Sequence, residues 1–313
     1  MDRSEKAWRI DFVKNLVNCK HFRIEQIGEG VYAALAKEGT GAVANAGFVD
    51  LGDKTLVFDT FNTQQAAKEL KEIAEQTTGK KVSWVVNSHW HGDHIRGNQI
   101  FKDCSIISSE KTYDKMREIH PSRIQKQKDD IANLHKYIQS LEKQYKNENN
   151  ENESLHKQIL FLKEIALSLP TLEVTLPNYT YNDEFTFYGE KRTAKLITLG
   201  GGHSICDSFL YIPEEKVAFM GDLLFVETHP TLFEGDSSVE KWIEILTKVD
   251  CFEIKIFIPG HGPIGSKQDI QSLLHYFYDI KNSNDNDIPD RYKAWSGAKV
   301  FEQNMKLIRK LNK

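Results

Sequence analysis

Four side chains able to bind metal lie within six residues, in the motif His89-Trp-His91-Gly-Asp93-His94, directly after the apolar run 82–86. Side chains two residues apart on an extended chain point to the same side, so His89 and His91 can hold one ion. Gly92 lets the chain turn, so that Asp93 and His94 face a second position. Imidazole and carboxylate ligands suit Zn²⁺ in a catalytic site that keeps one coordination position open. The motif therefore predicts a metal centre at the end of a strand.

Two ions need further ligands, and the second half of the chain offers three candidates. His203 follows a run of three glycines, Asp222 ends a strand-like run, and His261 lies between two glycines. Each alone has an ordinary explanation, as a turn residue or a capping group. Taken in order, they complete two ligand sets: His89, His91 and His203, and Asp93, His94 and His261. Asp222 would bridge two ions that lie roughly 3.5–4 Å apart.

The elements that must position these residues occur in the same order in both halves. In the first half, strand-like runs occupy 31–35, 47–51, 55–58 and 82–86, and a helix-like stretch occupies 63–76. In the second half, strand-like runs occupy 195–199, 209–212, 216–220 and 255–258, and a helix-like stretch occupies 239–249. In each half a strand ends at an aspartate, Asp59 or Asp222, and a later strand ends at a histidine. This pattern favours two sheets with helices outside them and a crevice at the strand ends.

Residues 122–169 interrupt this pattern, because they contain almost no glycine and many Lys, Gln, Glu and Asn residues. Apolar residues recur at spacings of three and four up to Tyr145, stop in the polar run 147–152, and resume at Leu155. We interpret this stretch as two antiparallel helices with a polar tip. They would form an inserted segment, residues 109–169, within a single domain of residues 1–313. The apolar stripe would pack on the body of the chain, on a second subunit in a homodimer, or on an apolar substrate, and we expect the segment to form one wall of the pocket.

In this order, the motifs resemble those of the metallo-β-lactamase superfamily. The matching pieces are Asp59, HWHGDH at 89–94, GGGHS at 200–204, VAFMGD at 217–222 and PGHG at 259–262. The resemblance spans about residues 22–265. It implies an α/β fold, the αββα sandwich of two mixed β-sheets flanked by helices, with a helical hairpin inserted. It also implies a dinuclear zinc site at one edge. The Asp222 pattern is more similar to glyoxalase II and lactonases than to the zinc β-lactamases of antibiotic resistance.

The expected function is that of a zinc-dependent hydrolase, with two Zn²⁺ ions per chain. A metal-bridging hydroxide would attack an ester, thioester, lactone or lactam-type bond, because bound cations lower the pKa of water from 15.7 to about 7. Asp93 would orient this nucleophile while it binds a metal. The alternative is a mononuclear iron persulfide dioxygenase, since the superfamily includes such enzymes with similar histidine motifs. A true β-lactamase, a phosphodiesterase or a non-catalytic partner-binding module is less favoured.

Two further residues have open roles. The resemblance implies that Asp59 lies beneath the histidine loop and orients it through hydrogen bonds. The other interpretation is that Asp59 caps the turn before Thr63. His229, in the loop after Asp222, is a candidate catalytic residue that would contact substrate or stabilise charge. The other interpretation is an ordinary surface histidine.

The composition limits the function classes further. The chain has 313 residues with a formal net charge of -4, which argues against a general nucleic-acid binder. No apolar run approaches the roughly 18 residues that a membrane span needs. The charged N-terminus shows no secretory signal, and the four cysteines form no CxxC pair, so we expect buried thiols and a cytoplasmic location. The expected partner is a small-molecule substrate, with no nucleic acid and no membrane.

Overall fold

Short apolar runs in the first half of the chain form an eight-stranded sheet, whose strands lie in the order in which they occur in the sequence. The computed structural model describes residues 14–283 and 287–311. The strands are β1 (Lys14–Asn18), β2 (Phe22–Gly28), β3 (Val31–Ala36), β4 (Ala46–Asp50), β5 (Thr55–Phe58), β6 (Val82–Val86), β7 (Ser105–Ser109) and β8 (Tyr179–Tyr181). Pairs up to β5 are antiparallel and later pairs are parallel, so the sheet is mixed.

The second half forms a five-stranded sheet in the order β13-β12-β11-β10-β9. Its strands are β9 (Glu184–Tyr188), β10 (Thr193–Thr198), β11 (Ser208–Ile212), β12 (Val217–Phe225) and β13 (Ile256–His261). Only β12 and β13 pair in parallel. The two sheets pack face to face through an apolar core, in which the rings of Phe58 and Phe219 lie 5.4 Å apart. Every residue of β12 is buried, as expected for a strand covered on both faces.

Helices cover the outer faces of both sheets. The helix α1 (Gln64–Thr78) packs Ala67 and Leu70 on the first sheet, and the Thr63 side chain caps its N-terminus. The short helix α2 (Gly92–Ile95) follows β6. The second sheet is covered by α6 (Val239–Val249), α7 (Lys267–Asn282) and α8 (Ala298–Leu311). Short 3₁₀ turns occur at Arg96–Phe101, Leu169–Thr171 and Asp290–Tyr292. This architecture confirms the predicted fold of two mixed sheets flanked by helices.

The inserted segment contains three helices, so the prediction of two is corrected. They are α3 (Glu110–Asp129), α4 (Ile131–Asn147) and α5 (Glu153–Ser168), and α4 and α5 form the hairpin with the polar tip. The sequence pattern does not reveal the helix break at Asp130, because Ile124 and Ile131 are seven residues apart and continue the same apolar stripe. Most of the stripe is buried between α4 and α5, in a cluster that includes Ile138, Leu141 and Ile159. A second subunit is therefore not needed to bury it.

Two smaller sequence expectations also need correction. Asp222 lies inside β12 and does not end it, because the strand continues to Phe225 beyond an irregular pairing with β13. Cys19, Cys104 and Cys206 are buried as expected, but Cys251 is exposed in the turn after α6. Within residues 14–283 and 287–311, none of the helices combines the length and the apolar character that crossing a membrane requires.

Candidate metal centre

The loop that carries the first four candidate ligands is held at both ends by buried amides. The side chains of Asn87 and Asn98 exchange two hydrogen bonds, of 3.0 and 2.8 Å, across the loop. The Thr60 hydroxyl donates to Asn98 Oδ1 at 2.9 Å. Gly97 must be glycine, since a Cβ there would lie 2.0 Å from the carbonyl oxygen of Thr60. The loop between β6 and the following 3₁₀ turn is therefore a fixed platform for side chains.

The structure brings together all seven residues that the sequence predicts as metal ligands. They form two groups, in each of which the candidate ligand atoms lie within 4.8 Å of one another. One group is His89, His91, His203 and Asp222, and the other is Asp93, His94 and His261. Both groups have the composition expected from the sequence, although they come from two sheets and four separate segments of the chain.

Asp222 lies between the two groups. Its Oδ2 is 3.1 Å from His203 Nε2 and 3.9 Å from His89 Nε2. Its Oδ1 is 3.1 Å from His94 Nε2 and 3.4 Å from His261 Nε2. Each oxygen of one carboxylate therefore faces a different group of histidines, which is the arrangement that a bridging ligand requires.

The segment around His261 approaches Asp222 closely because its neighbours are small. A Cβ on Gly260 would lie 1.9 Å from Asp222 Oδ1, so only glycine fits there. The side-chain amide of Asn45, just before β4 of the first sheet, donates to the carbonyl oxygens of Pro259 and Gly262 at 3.0 and 2.9 Å. Asn45 thereby fixes the His261 segment to the opposite sheet.

Asp59 orients two of the candidate ligands. Its carboxylate accepts hydrogen bonds from the Ser88 backbone N–H and hydroxyl, both at 2.8 Å, and from His94 Nδ1 at 2.7 Å. His89 Nδ1 lies 2.9 Å from the Ser88 hydroxyl oxygen. Because the Ser88 hydroxyl already donates its proton to Asp59, His89 Nδ1 must donate to the hydroxyl oxygen. Both imidazoles then direct Nε2 toward the cluster, where it could bind a metal ion. The backbone of Asp59 adopts the left-handed conformation, with a φ of 60°.

The role of Asp59 as a cap is not supported, because its hydrogen bonds within the described chain go to Ser88 and His94, and Thr63 itself caps the following helix.

Asp236 has a similar role and was missed by the sequence reasoning. Its Oδ2 lies 3.1 Å from His91 Nε2, and its carboxylate also accepts hydrogen bonds from Trp90 Nε1 and from the backbone N–H of Ile205. His91 therefore faces the cluster with Nδ1, which is 2.9 Å from His203 Nε2. Asp236 joins the two loops that carry these histidines. Nothing in the spacing of the polar loop before α6 marks this aspartate.

The turn that carries His203 is shaped by a second acidic residue that was also missed. Asp207 Oδ2 accepts hydrogen bonds from the backbone N–H groups of Gly202 and Ser204, at 2.8 and 2.9 Å. His203 Nδ1 lies 3.1 Å from the carbonyl oxygen of Thr231 and must donate to it. This bond directs His203 Nε2 toward Asp222, as is the case for Nε2 of His89 and His94.

The electrostatics of the cluster favour a bound cation. Burial acts to raise the pKa of Asp222, but the imidazoles of His261 and His94 hold it well below its ordinary value. Burial acts to lower the pKa of His261, but the Asp222 carboxylate outweighs this effect and raises it to about 9. Burial and the neighbouring histidines lower the pKa of His89 well below its ordinary value. Ionised carboxylates thus attract protons to some imidazoles, and a metal ion would take the place of those protons.

Three buried ligand atoms test whether a metal fits. His89 Nε2, His94 Nε2 and Asp222 Oδ1 are buried and make no hydrogen bond in the described structure, although the last two lie only 3.1 Å apart. A buried polar atom without a partner costs about 1–3 kcal/mol, so three together need a compensating interaction. Metal ions at the two groups would satisfy all three. Nitrogen donors mixed with carboxylate oxygens suit Zn²⁺ better than Mg²⁺ or Ca²⁺.

His229 does not join the cluster. Its ring is buried among Tyr276, Trp295 and Phe301, with ring centroids 5.6, 5.7 and 5.6 Å away. Its Nδ1 lies 3.3 Å from the Tyr276 hydroxyl. The loop after β12 turns this side chain into the aromatic core beneath α7 and α8. The structure therefore supports neither a substrate contact nor a surface position for His229.

The cluster opens onto a cavity of about 440 Å³. Candidate ligand residues from both groups line it, namely His91, Asp93, His203, Asp222 and His261. The aromatic side chains of Trp90, Phe225 and Phe233 also line it, and Arg123 extends to it from α3. The inserted segment thus contributes to the wall through α3, whereas α4 and α5 supply no lining residue within the described chain.

Comparisons with known proteins agree with the fold described above. The sequence profile described as the metallo-β-lactamase superfamily matches residues 39–261. A metallo-β-lactamase from Pontibacter korlensis is 15% identical, with a TM-score of 0.56, and the match covers 85% of this chain and 99% of that one. The DIM-1 metallo-β-lactamase exposed to ceftazidime is 17% identical, with a TM-score of 0.58, covering 84% of this chain and 99% of that one. TMB-1 gives the same identity and TM-score, covering 84% of this chain and 100% of its own. At these identities, the structural likeness establishes the fold alone.

Proposed function

Because this chain belongs to the metallo-β-lactamase superfamily, we propose that it is a zinc-dependent hydrolase with two metal ions per chain. The observation that carries the proposal is the position of Asp222, whose two oxygens face different groups of histidines. His89, His91 and His203 would hold one ion, and Asp93, His94 and His261 the other. Asp222 would contact both.

When bound, the two ions would supply a water molecule that is deprotonated near neutral pH and would polarise the oxygen of the bond under attack. The Asp93 carboxylate lines the cavity, and its Oδ2 lies 3.4 Å from His261 Nε2. The imidazoles of His94 and His261 hold the pKa of Asp93 below its ordinary value, although burial acts against them. Asp93 therefore stays ionised, so that it can accept a hydrogen bond from the attacking water and orient it. Asp59 and Asp236 keep three imidazoles in the tautomer that this site needs.

The bond that is hydrolysed is proposed to be an ester, thioester, lactone or lactam-type bond. The described cavity, of about 440 Å³, is large enough for a small molecule, and its aromatic wall can exclude bulk water around such a group. A mononuclear iron persulfide dioxygenase would use one ion and leave the donors of the other group without a metal. The presence of two complete groups favours the hydrolase.

A substrate screen on the zinc-loaded protein tests the proposal. The screen contains a lactone, a thioester, an aryl ester, a β-lactam and a phosphodiester. We expect hydrolysis of at least one carbonyl substrate, loss of that activity with a chelator, and its recovery with zinc. His135→Gln, which changes an exposed histidine of α4, is the matched control and should retain full activity. If the zinc-loaded protein hydrolyses no carbonyl substrate, but the iron-loaded protein consumes oxygen with glutathione persulfide, the hydrolase is contradicted and the dioxygenase is supported.

A further inference from the structure

Arg123 brings a positive charge to the wall of the cavity. It lies on α3 and is the only lysine or arginine that lines the cavity within the described chain. Its guanidinium carbon is 5.3 Å from the centre of the Trp90 ring. Trp90 stands between two candidate ligands, and its Nε1 donates to Asp236. The cation–π contact with the Trp90 indole holds the guanidinium beside loop 89–94, which carries four of the candidate ligands.

No carboxylate of the described chain neutralises Arg123. Arg117, on the same helix, pairs with Asp114 at 2.9 Å, but Arg123 forms no ion pair with any residue of 14–283 or 287–311. The carboxylates that line the cavity all have other partners. Glu234 pairs with Lys310 at 2.6 Å, Asp236 bonds to His91, and Asp93 and Asp222 face the histidine groups. The charge of Arg123 is thus available to a ligand in the cavity.

An exposed aromatic ring lines the same cavity. Phe233 is 42% exposed although it lies against the site, with its ring centroid 4.8 Å from that of His91. A large apolar side chain at the opening of a polar site offers a contact surface for the apolar part of a ligand. The cavity therefore combines one unpaired guanidinium with one exposed ring, next to the candidate metal ligands.

We propose that the substrate carries an oxyanion group, a carboxylate or a phosphate, that binds Arg123, and an apolar group that packs on Phe233. This inference rests on the proposed hydrolase function and narrows its substrate class. A guanidinium binds either oxyanion through two parallel hydrogen bonds, which also orients the ligand. Arg123 would therefore set the substrate preference without touching the reacting atoms.

The kinetic test uses two substrates that differ in one charge, the mono-p-nitrophenyl ester of glutaric acid and its methyl diester. We expect the wild type to prefer the free acid by about tenfold or more in kcat/KM, mainly through KM. Arg123→Gln should lose this preference, because its kcat/KM for the free acid should fall to about that for the diester. Arg117→Gln, on the same helix but outside the cavity, is the matched control and should keep the preference. A preference that persists in Arg123→Gln would overturn the assignment.

A binding test separates this inference from the proposed function. Benzoate, phenyl phosphate and neutral benzamide are titrated into metal-free protein, where a carboxylate cannot bind zinc, and followed by ligand-observed NMR. We expect one or both anions to bind more tightly than benzamide, with the difference abolished in Arg123→Gln. Phe233→Ala should weaken all three ligands alike. Equal binding of the anions and benzamide to the wild type would overturn the oxyanion site. If no ester is hydrolysed but these differences appear, the hydrolase proposal fails and the anion site stands.

Discussion

His120 Nε2 lies 2.6 Å from the backbone carbonyl oxygen of Trp90, and this contact joins the inserted helix α3 to the loop of the candidate ligands. A carbonyl only accepts, so Nε2 donates the hydrogen bond. The His120 side chain is fully buried with its ring centroid 5.9 Å from that of Trp90, and its Nδ1 has no partner in the described structure. Burial lowers the pKa of His120 to about 4, although the bond to Trp90 acts in the opposite direction. The helix α3 therefore helps to hold loop 89–94, which carries the first four candidate ligands, in place.

We predict that His120 makes the metal-free protein sensitive to mild acid. Between about pH 6.5 and pH 4, the unfolded chain binds a proton at this imidazole and the folded chain does not. His120 therefore has no such effect above pH 6.5, and it lowers the free energy of unfolding by roughly 3 kcal/mol at pH 4. Urea unfolding of the wild type and of His120→Gln, at pH 7, 5 and 4 with a chelator present, measures the difference.

His135→Gln is the control for this prediction, because the ring of His135 is exposed on α4. It should follow the wild type at every pH. If the unfolding free energy of His120→Gln falls with decreasing pH as steeply as that of the wild type, the neutral buried state of His120 is wrong.

We predict that Asp222→Asn lowers the zinc content below two ions per chain. A neutral amide cannot neutralise two cations as a carboxylate does, so at least one ion should bind more weakly. Turnover should fall more than the free energy of unfolding. Elemental analysis after dialysis measures the stoichiometry, and Glu234→Gln, which changes another carboxylate at the cavity, should retain two ions. Two ions and unchanged turnover in Asp222→Asn would exclude a bridging role.

Much of the fold and all seven members of the cluster could be predicted because their signals are local. Few residue types can bind a transition metal, and His89, His91, Asp93 and His94 lie within six residues. Each remaining member follows glycine in a short motif. The strands of both sheets are short apolar runs between turn residues, which a period of two or continuous burial marks directly.

The supporting contacts could not be predicted, because they join residues that are far apart in sequence. Asp236 bonds to His91 across 145 positions, and Asn45 bonds to Pro259 across 214. Each is an ordinary polar residue in a loop, with no periodicity to mark it. The prediction of a catalytic role for His229 relied on its position in sequence close to Asp222. The structure instead packs its ring against Tyr276 and Phe301 in the core, which a sequence position does not reveal.

We predict that Asp236→Ala weakens zinc binding by about 10- to 100-fold, the usual effect of losing a hydrogen-bond partner of a metal-binding histidine. Without this carboxylate, His91 loses the acceptor that fixes its Nε2 proton. Asp236→Asn should have a smaller effect, because the amide oxygen can still accept. Competition with a chromophoric chelator measures the affinity. Glu234→Ala, two positions earlier in the same loop, should bind zinc as the wild type does, and an equal loss in both variants would mean that the loop acts as a whole.

The last prediction concerns the hairpin of α4 and α5. A deletion that began at Ile124 would damage α3, because Ile124 is buried with Leu169 and Leu172. The cut should therefore fall between Leu134 and Leu162, which pack against the same cluster near the base of the hairpin. Replacing residues 135–161 by a short glycine linker keeps His120 and Arg123 on α3. It also keeps the hydrogen bond from the Gln64 side chain to the Ser168 carbonyl oxygen.

We expect this truncated protein to bind two zinc ions and to keep kcat/KM within about threefold of the wild type, because no residue of α4 or α5 lines the described cavity. The removed part has its own apolar core, so the remaining body loses few contacts. Elemental analysis, kinetics with the acid and diester substrates, and circular dichroism test this expectation together. If the truncated chain stays folded but loses its metals, the hairpin supports the site from a distance, and the division between a supporting α3 and a dispensable hairpin is mistaken.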